Sequence, residues 1–164
     1  MFQFSASARA LKFVVAVVAA LAASACAKNA DEMGAGGGSA APGTPQDFVV
    51  NVGDRVFFET DSSELTATAQ TTLTKQAAWL TRYAHYSFTV EGHADERGTR
   101  EYNFALGARR AQATRDYLVS KGIAASRMHT VSYGKERPVA TCDDISCWSQ
   151  NRRAVTVLSG AAGS

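Results

Sequence analysis

Apolar and polar positions along this chain alternate between two periods, and the switches between them mark its elements. Residues 66–83 place Ala69, Leu73, Ala77 and Leu80 on one stripe three or four positions apart, continued by Ala84, which predicts an amphipathic helix. Thr99 offers a side-chain cap for a second helix running to Lys121. There Leu106, Ala113 and Tyr117 form one stripe, and Ala111, Thr114 and Leu118 form its neighbour. Gly122 suits the left-handed position that ends a helix, with the Lys121 charge in the last turn facing the negative end of the helix dipole. Residues 48–52, 55–58, 86–91, 129–133 and 154–158 are short runs rich in β-branched and aromatic side chains, which predicts strands. The order is strand, helix, strand, helix, strand, strand. It implies an α+β domain with two main helices packed on a mixed four-stranded sheet.

Ahead of residue 46 the pattern changes twice. Arg9 and Lys12 precede an apolar run at 13–22 that is too short to span a bilayer, and Ala23, Ser24 and Ala25 supply small residues for a cleavage site. Residues 1–25 therefore read as a lipoprotein export signal, with Cys26 as the residue that receives the lipid. An ordinary cleavage would instead leave an unpaired exported thiol at the new terminus. Each buried methylene contributes about 0.8 kcal/mol, so two or three acyl chains make a durable anchor where one would not. Ala27, not an aspartate, follows the cysteine, which under the usual sorting rule favours the outer membrane. Residues 26–45 carry Gly34, Gly36, Gly37, Gly38 and Gly43 with Pro42 and Pro45, and read as a flexible tether. A tether of about 20 residues has an r.m.s. reach of roughly 25 Å and a taut reach of roughly 70 Å. The folded domain is expected at 46–160, long enough for one core.

Charge narrows the function. The formal +2 falls to zero once Arg9 and Lys12 leave with the signal, so there is no basic footprint for nucleic acid. The exported setting makes a disulfide between Cys142 and Cys147 the leading reading, beside free thiols or a metal half-site that no histidine near in sequence completes. The densest charged segment is Glu91-Gly92-His93-Ala94-Asp95-Glu96-Arg97-Gly98, followed by Arg109-Arg110. An aspartate accepts from an ammonium, and an arginine fork binds a carboxylate in planar, two-bond geometry. Together they match a zwitterionic amino acid; an exposed loop with local ion pairs is the alternative. His93 reads as a packed loop residue. No nucleophile stands beside a base and no ligand set is spaced for a metal, so neither enzymatic activity nor a cofactor is expected.

The blocks Val90 through Thr99, then Glu101-Tyr102-Asn103, Leu106-Gly107 and Arg109-Arg110-Ala111, resemble the OmpA-like peptidoglycan-associated lipoproteins of the Tol system. Val131-Ser132-Tyr133-Gly134-Lys135-Glu136 with Pro138, and Asn151-Arg152-Arg153-Ala154-Val155, match further blocks of that family in the same order. The resemblance covers residues 54–158, essentially the whole expected domain. It implies an OmpA-like fold that holds peptidoglycan non-covalently at the periplasmic face of the outer membrane. In such domains the loop aspartate, here Asp95, and the second arginine of the helix block, here Arg110, contact the diaminopimelate of the stem peptide. Arg97, Leu106 and the Thr60-Asp61 loop fall on further binding positions. Arg100 and the Cys142–Cys147 segment depart from many relatives and are expected to lie clear of this clamp. The resemblance also implies docking of a TolB-type periplasmic β-propeller on a surface overlapping the wall site. Wall-anchoring proteins of other machines, such as flagellar stators or barrel porins, carry membrane-spanning parts for which no segment is read here.

Overall fold

The computed structural model describes residues 40–159; the signal segment, Cys26 and most of the stretch read as a tether lie outside the described residues. Among the described residues four α-helices and four strands follow one another as α1 (Pro45–Asp47), β1 (Arg55–Phe57), α2 (Ala67–Arg82), β2 (Ser87–His93), α3 (Arg100–Ser120), β3 (Met128–Gly134), α4 (Ile145–Asn151) and β4 (Arg153–Ser159). The strands make one mixed sheet in the order β1-β4-β2-β3. β4 runs antiparallel to both β1 and β2, while β2 and β3 are parallel. A parallel pair needs a crossover connection, and α3 supplies it.

Register decides what is buried. Val56 lies opposite Ala154, Val90 opposite Thr156, and Phe88 opposite both Leu158 and Met128. These residues share the sheet face on which Leu73 and Leu80 of α2 and Ala111 and Leu118 of α3 complete the core. Gln76 of α2 is fully buried among them, and both ends of its amide are satisfied. Its nitrogen donates to the Gly53 carbonyl, and its oxygen accepts from the Thr156 hydroxyl. Of the two α3 stripes read from the sequence the second is buried throughout and the first only at Leu106, and Ala84 falls beyond the end of α2, exposed.

Two expectations change. Residues 48–52 are not a strand but a helical turn, Phe48–Val52, continuing α1. Thr44 caps α1 through its hydroxyl and Pro45 occupies the first turn, a start signal that outweighs the β-branched run behind it. Phe48 then turns inward against Trp79, 4.9 Å between ring centroids, while Val49 and Val50 are exposed. Packing also reaches back into the stretch read as tether. The Asp47 carboxylate accepts from the Gly43 amide, the Asn51 amide and the Trp79 indole, and the Tyr86 hydroxyl donates to the Gly43 carbonyl. These bonds make a mooring where the chain joins the domain, beside the first residue of β2.

At the other end of β2, Gly92 and Gly107 let α3 lie directly on the strand. A Cβ built on Gly92 would stand 1.8 Å from the Gly107 carbonyl oxygen. This contact fixes where the loop after β2 meets the first turns of α3. Gly92→Ala is therefore expected to lose about 3 kcal/mol or more, the upper end of overpacking costs, as a lowered urea midpoint at unchanged slope.

Candidate functional site

Segments far apart in sequence converge where β2 ends and α3 begins. A cleft of about 270 Å³ is lined by Thr60, Asp61, Asp95, Arg97, Gly98, Tyr102, Asn103 and Leu106. Each wall has a local cause. Thr99 caps α3 by accepting from the Tyr102 amide, which sets Tyr102 and Asn103 on the first turn. The buried Asn103 amide donates to the carbonyls of Arg97 and Thr99 and so ties the loop to the helix. Asp61 sits in the left-handed region at φ 56°, which turns the 59–62 loop toward the cleft, where its carboxylate accepts from the Tyr102 hydroxyl.

The charged centre is Asp95, buried, with Arg97 folded onto it. One Asp95 oxygen accepts from the Arg97 amide and Nε, the other from Arg97 Nη2 at 2.7 Å and Arg152 Nη1 at 3.3 Å. Burial alone would raise the Asp95 carboxyl, but the Arg97 bonds, the Arg97 charge and the Arg152 bond outweigh it. The carboxyl stays below its ordinary value of 3.8. The Asp95 bond in turn holds the Arg97 guanidinium above its usual range.

Five of the six expected contact residues thus line one cleft: Thr60, Asp61, Asp95, Arg97 and Leu106. Arg110 does not. It has no exposed surface, and its guanidinium donates to three backbone carbonyls, those of Ser62 (2.8 Å), His93 (2.8 Å) and Glu59 (3.1 Å). Burial, with the nearby Arg152 charge, pushes its pKa down to about 10. Arg110 stands behind the cleft and ties its two walls together.

The fold is that of a known family. The profile of the OmpA family matches residues 57–152. The peptidoglycan-associated lipoprotein of Agrobacterium fabrum is 67% identical over 155 residues, covering 90% of this chain and 88% of that one. Its counterpart in Mesorhizobium japonicum is 66% identical over 154 residues, covering 90% and 92%. The chain belongs to the OmpA family, among its peptidoglycan-associated lipoproteins. A solved member from Burkholderia pseudomallei superposes with a TM-score of 0.63 at 40% identity, covering 65% of this chain and 90% of that one. The C-terminal domain of Helicobacter pylori MotB shares the fold at 22% identity and a TM-score of 0.62, over 66% and 86% of the two chains.

In this OmpA-family domain the cleft lining takes no residue from the Cys142–Cys147 segment, but Trp148, directly after it, reaches the charged loop. The two cysteines are joined in a disulfide, and α4 carries Trp148 against the charged loop. The Trp148 indole donates to Glu96, and Arg97 lies over its ring, 4.2 Å from the centroid. Sequence reasoning missed Trp148, Arg152, Tyr102 and Asn103 as parts of the site. The last three stood in the quoted blocks; Trp148 carried no local signal.

His93 lies just before the loop, on the sheet face away from the helices. It is buried, with neither ring nitrogen hydrogen-bonded, against the Tyr133 ring. Burial, and the charges of Arg153, Arg137 and Arg55, push its pKa down to about 4, although a Glu91 oxygen stands 3.7 Å away. The unfolded chain binds this proton near pH 6.5 and the folded one only near pH 4. Stability from the neutral ring is therefore complete above pH 6.5 and is lost as pH falls toward 4, by about 2–3 kcal/mol. His93→Phe should flatten the stability profile across that window in chemical denaturation.

Proposed function

We propose that this chain links the outer membrane to the cell wall by binding, without cleaving it, the diaminopimelate of peptidoglycan stem peptides in the Asp95–Arg97 cleft. The observation that carries the reading is that pair itself. Opposite charges 2.7 Å apart stand at the wall of an open cleft about the size of one long amino acid. A ligand bearing both an ammonium and a carboxylate on one carbon exchanges the pair's mutual bonds for its own. The ammonium goes to Asp95, the carboxylate to the Arg97 fork, and Leu106 and Tyr102 meet the aliphatic part. Because bonds are exchanged rather than simply gained, each site binds modestly, at roughly millimolar to micromolar affinity.

Modest affinity suffices for a tethered protein. A lipid on Cys26 and a tether before the mooring confine the domain near a repetitive polymer, and effective concentration raises occupancy. The relatives' shared name, peptidoglycan-associated lipoprotein, supports this placement. By the same resemblance the cleft face also receives a TolB-type propeller within the Tol–Pal system, so that wall and propeller exclude each other. We assign Arg110 the task of holding the cleft walls. Arg110→Ala would strand three carbonyls and disturb the fold, so it cannot separate binding from stability.

Asp95→Asn is the cleaner variant. It should weaken binding of a diaminopimelate-containing stem peptide about 10- to 100-fold in an NMR titration while unfolding stays cooperative. The wild-type chain should prefer that peptide to its lysine counterpart, and equal binding of both would defeat the zwitterion reading. Separately, Cys26→Ser should move the protein from the membrane to the soluble periplasmic fraction while sedimentation with isolated sacculi persists. Membrane partition of that variant would remove the lipid anchor from the reading.

A further inference from the structure

We propose that Trp148 is a positioning residue for peptidoglycan recognition, holding Arg97 at the cleft wall, and that the Cys142–Cys147 disulfide fixes Trp148 there. The inference rests on the cleft reading above and adds to it a residue from outside the cleft. Arg97 is an exposed charged group of the site, its side chain 41% accessible, at the end of a long flexible stem. Such a side chain loses rotamer freedom when a ligand fixes it, unless something has fixed it already. In the free protein two things do: the Asp95 carboxylate and the Trp148 ring.

These two restraints respond differently to a ligand. Asp95 already accepts four hydrogen bonds, three from Arg97 and one from Arg152, so an incoming ammonium takes a share that Arg97 held. The stacking on Trp148 survives that loss. Attraction of a guanidinium to an indole face depends on height above the ring and only weakly on rotation within the plane. Arg97 thus turns its fork from Asp95 to a ligand carboxylate without leaving its seat. The bond from Trp148 to Glu96 ties the same ring to the residue between Asp95 and Arg97.

Trp148 needs its own support, because α4 is only seven residues long and helices this short are marginal alone. The Asp144 side chain caps it at the Ser146 amide. The buried Asn151 side chain joins its last turn to residues 139 and 140 through three hydrogen bonds. The disulfide closes the loop at Cys147, the residue next to Trp148. Cys147 packs this turn of α4 onto the domain by its own burial, and the crosslink holds the preceding loop at Cys142 against that turn.

The test uses the full chain in detergent, with an L-Ala–D-Glu–meso-diaminopimelate tripeptide as probe, and contrasts Trp148→Phe with Trp148→Leu. Both keep an apolar side chain, but only Phe keeps an aromatic face. Trp148→Phe should bind within about twofold of wild type, and Trp148→Leu about 3- to 10-fold more weakly. Cys142→Ser combined with Cys147→Ser should fall between them. In the unliganded protein the Arg97 Nε–H resonance should carry a ring-current displacement in wild type and Trp148→Phe that disappears in Trp148→Leu. The chain has two tryptophans, and Trp79 is buried in the core, so ligand-induced fluorescence change should vanish in Trp148→Phe. Equal affinity of the Phe and Leu variants, with Asp95→Asn still defective, would overturn the positioning role and leave the cleft reading standing. Failure of wild type to bind the tripeptide at all would overturn both.

Discussion

The Arg110 guanidinium, buried without access to solvent, donates to carbonyls of Glu59, Ser62 and His93, and the cleft exists because of it. A buried backbone carbonyl without a partner costs about 1–3 kcal/mol, and surface loops carry many of them where strands and helices stop. A guanidinium with several donors in a rigid plane answers two or three at once. This chain repeats the device. Arg127 gathers the carbonyls of Leu80, Tyr83 and Tyr86 at the end of α2, Arg152 takes that of Phe58, and Arg153 those of Arg137 and Asn151. Loops that would otherwise wander become walls, and Asp95 and Asp61 face each other across a fixed gap.

This arrangement explains which parts were legible from the sequence. The two long helices announced themselves through stripes of Leu and Ala, the second with its capping Thr99 and with Gly122 closing it at φ 91°, while the cap of the first, Thr66, emerged only in the structure. Strands β2, β3 and β4 followed from β-branched alternation. The Phe48–Val52 turn was misread because its composition favours a strand, while its conformation follows from the Thr44 cap and the Phe48–Trp79 contact. α4 lacked a periodic stripe long enough to register. In the site, Asp95, Arg97 and Leu106 were legible because a local motif carries them. Arg110 was legible as important but not as buried, since sequence spacing says nothing of which donors the backbone has already claimed. Arg152 and Trp148 reach the cleft only through the return of the chain along β4 and α4, more than 40 positions after Arg97 and Leu106.

A cleft made this way is stiff and already saturated with its own charges, which bears on the binding proposed for it. Asp95 stays ionised with its hydrogen bonds to Arg97 and Arg152 in place, so a ligand must compete with groups at full occupancy. Selectivity then comes from pattern more than from strength: a lone ammonium leaves the displaced fork without a partner, and a lone carboxylate leaves Asp95 short. Only a ligand carrying both at the right separation restores every bond it disturbs.

The mooring of Gly43 and Asp47 lies beside the first residue of β2, and the cleft opens past its last, so the two ends of the proposed linkage are separated by about the length of one strand, roughly 20 Å. Tension between a lipid leaflet and the wall would enter at one and leave at the other, directed along the strand axis. A ladder loaded lengthwise must slip at many hydrogen bonds together, whereas one pulled sideways opens them in succession. With β3 and β4 flanking β2 on both sides, a domain performing the proposed linkage would meet a stretching envelope in the direction in which a sheet resists most.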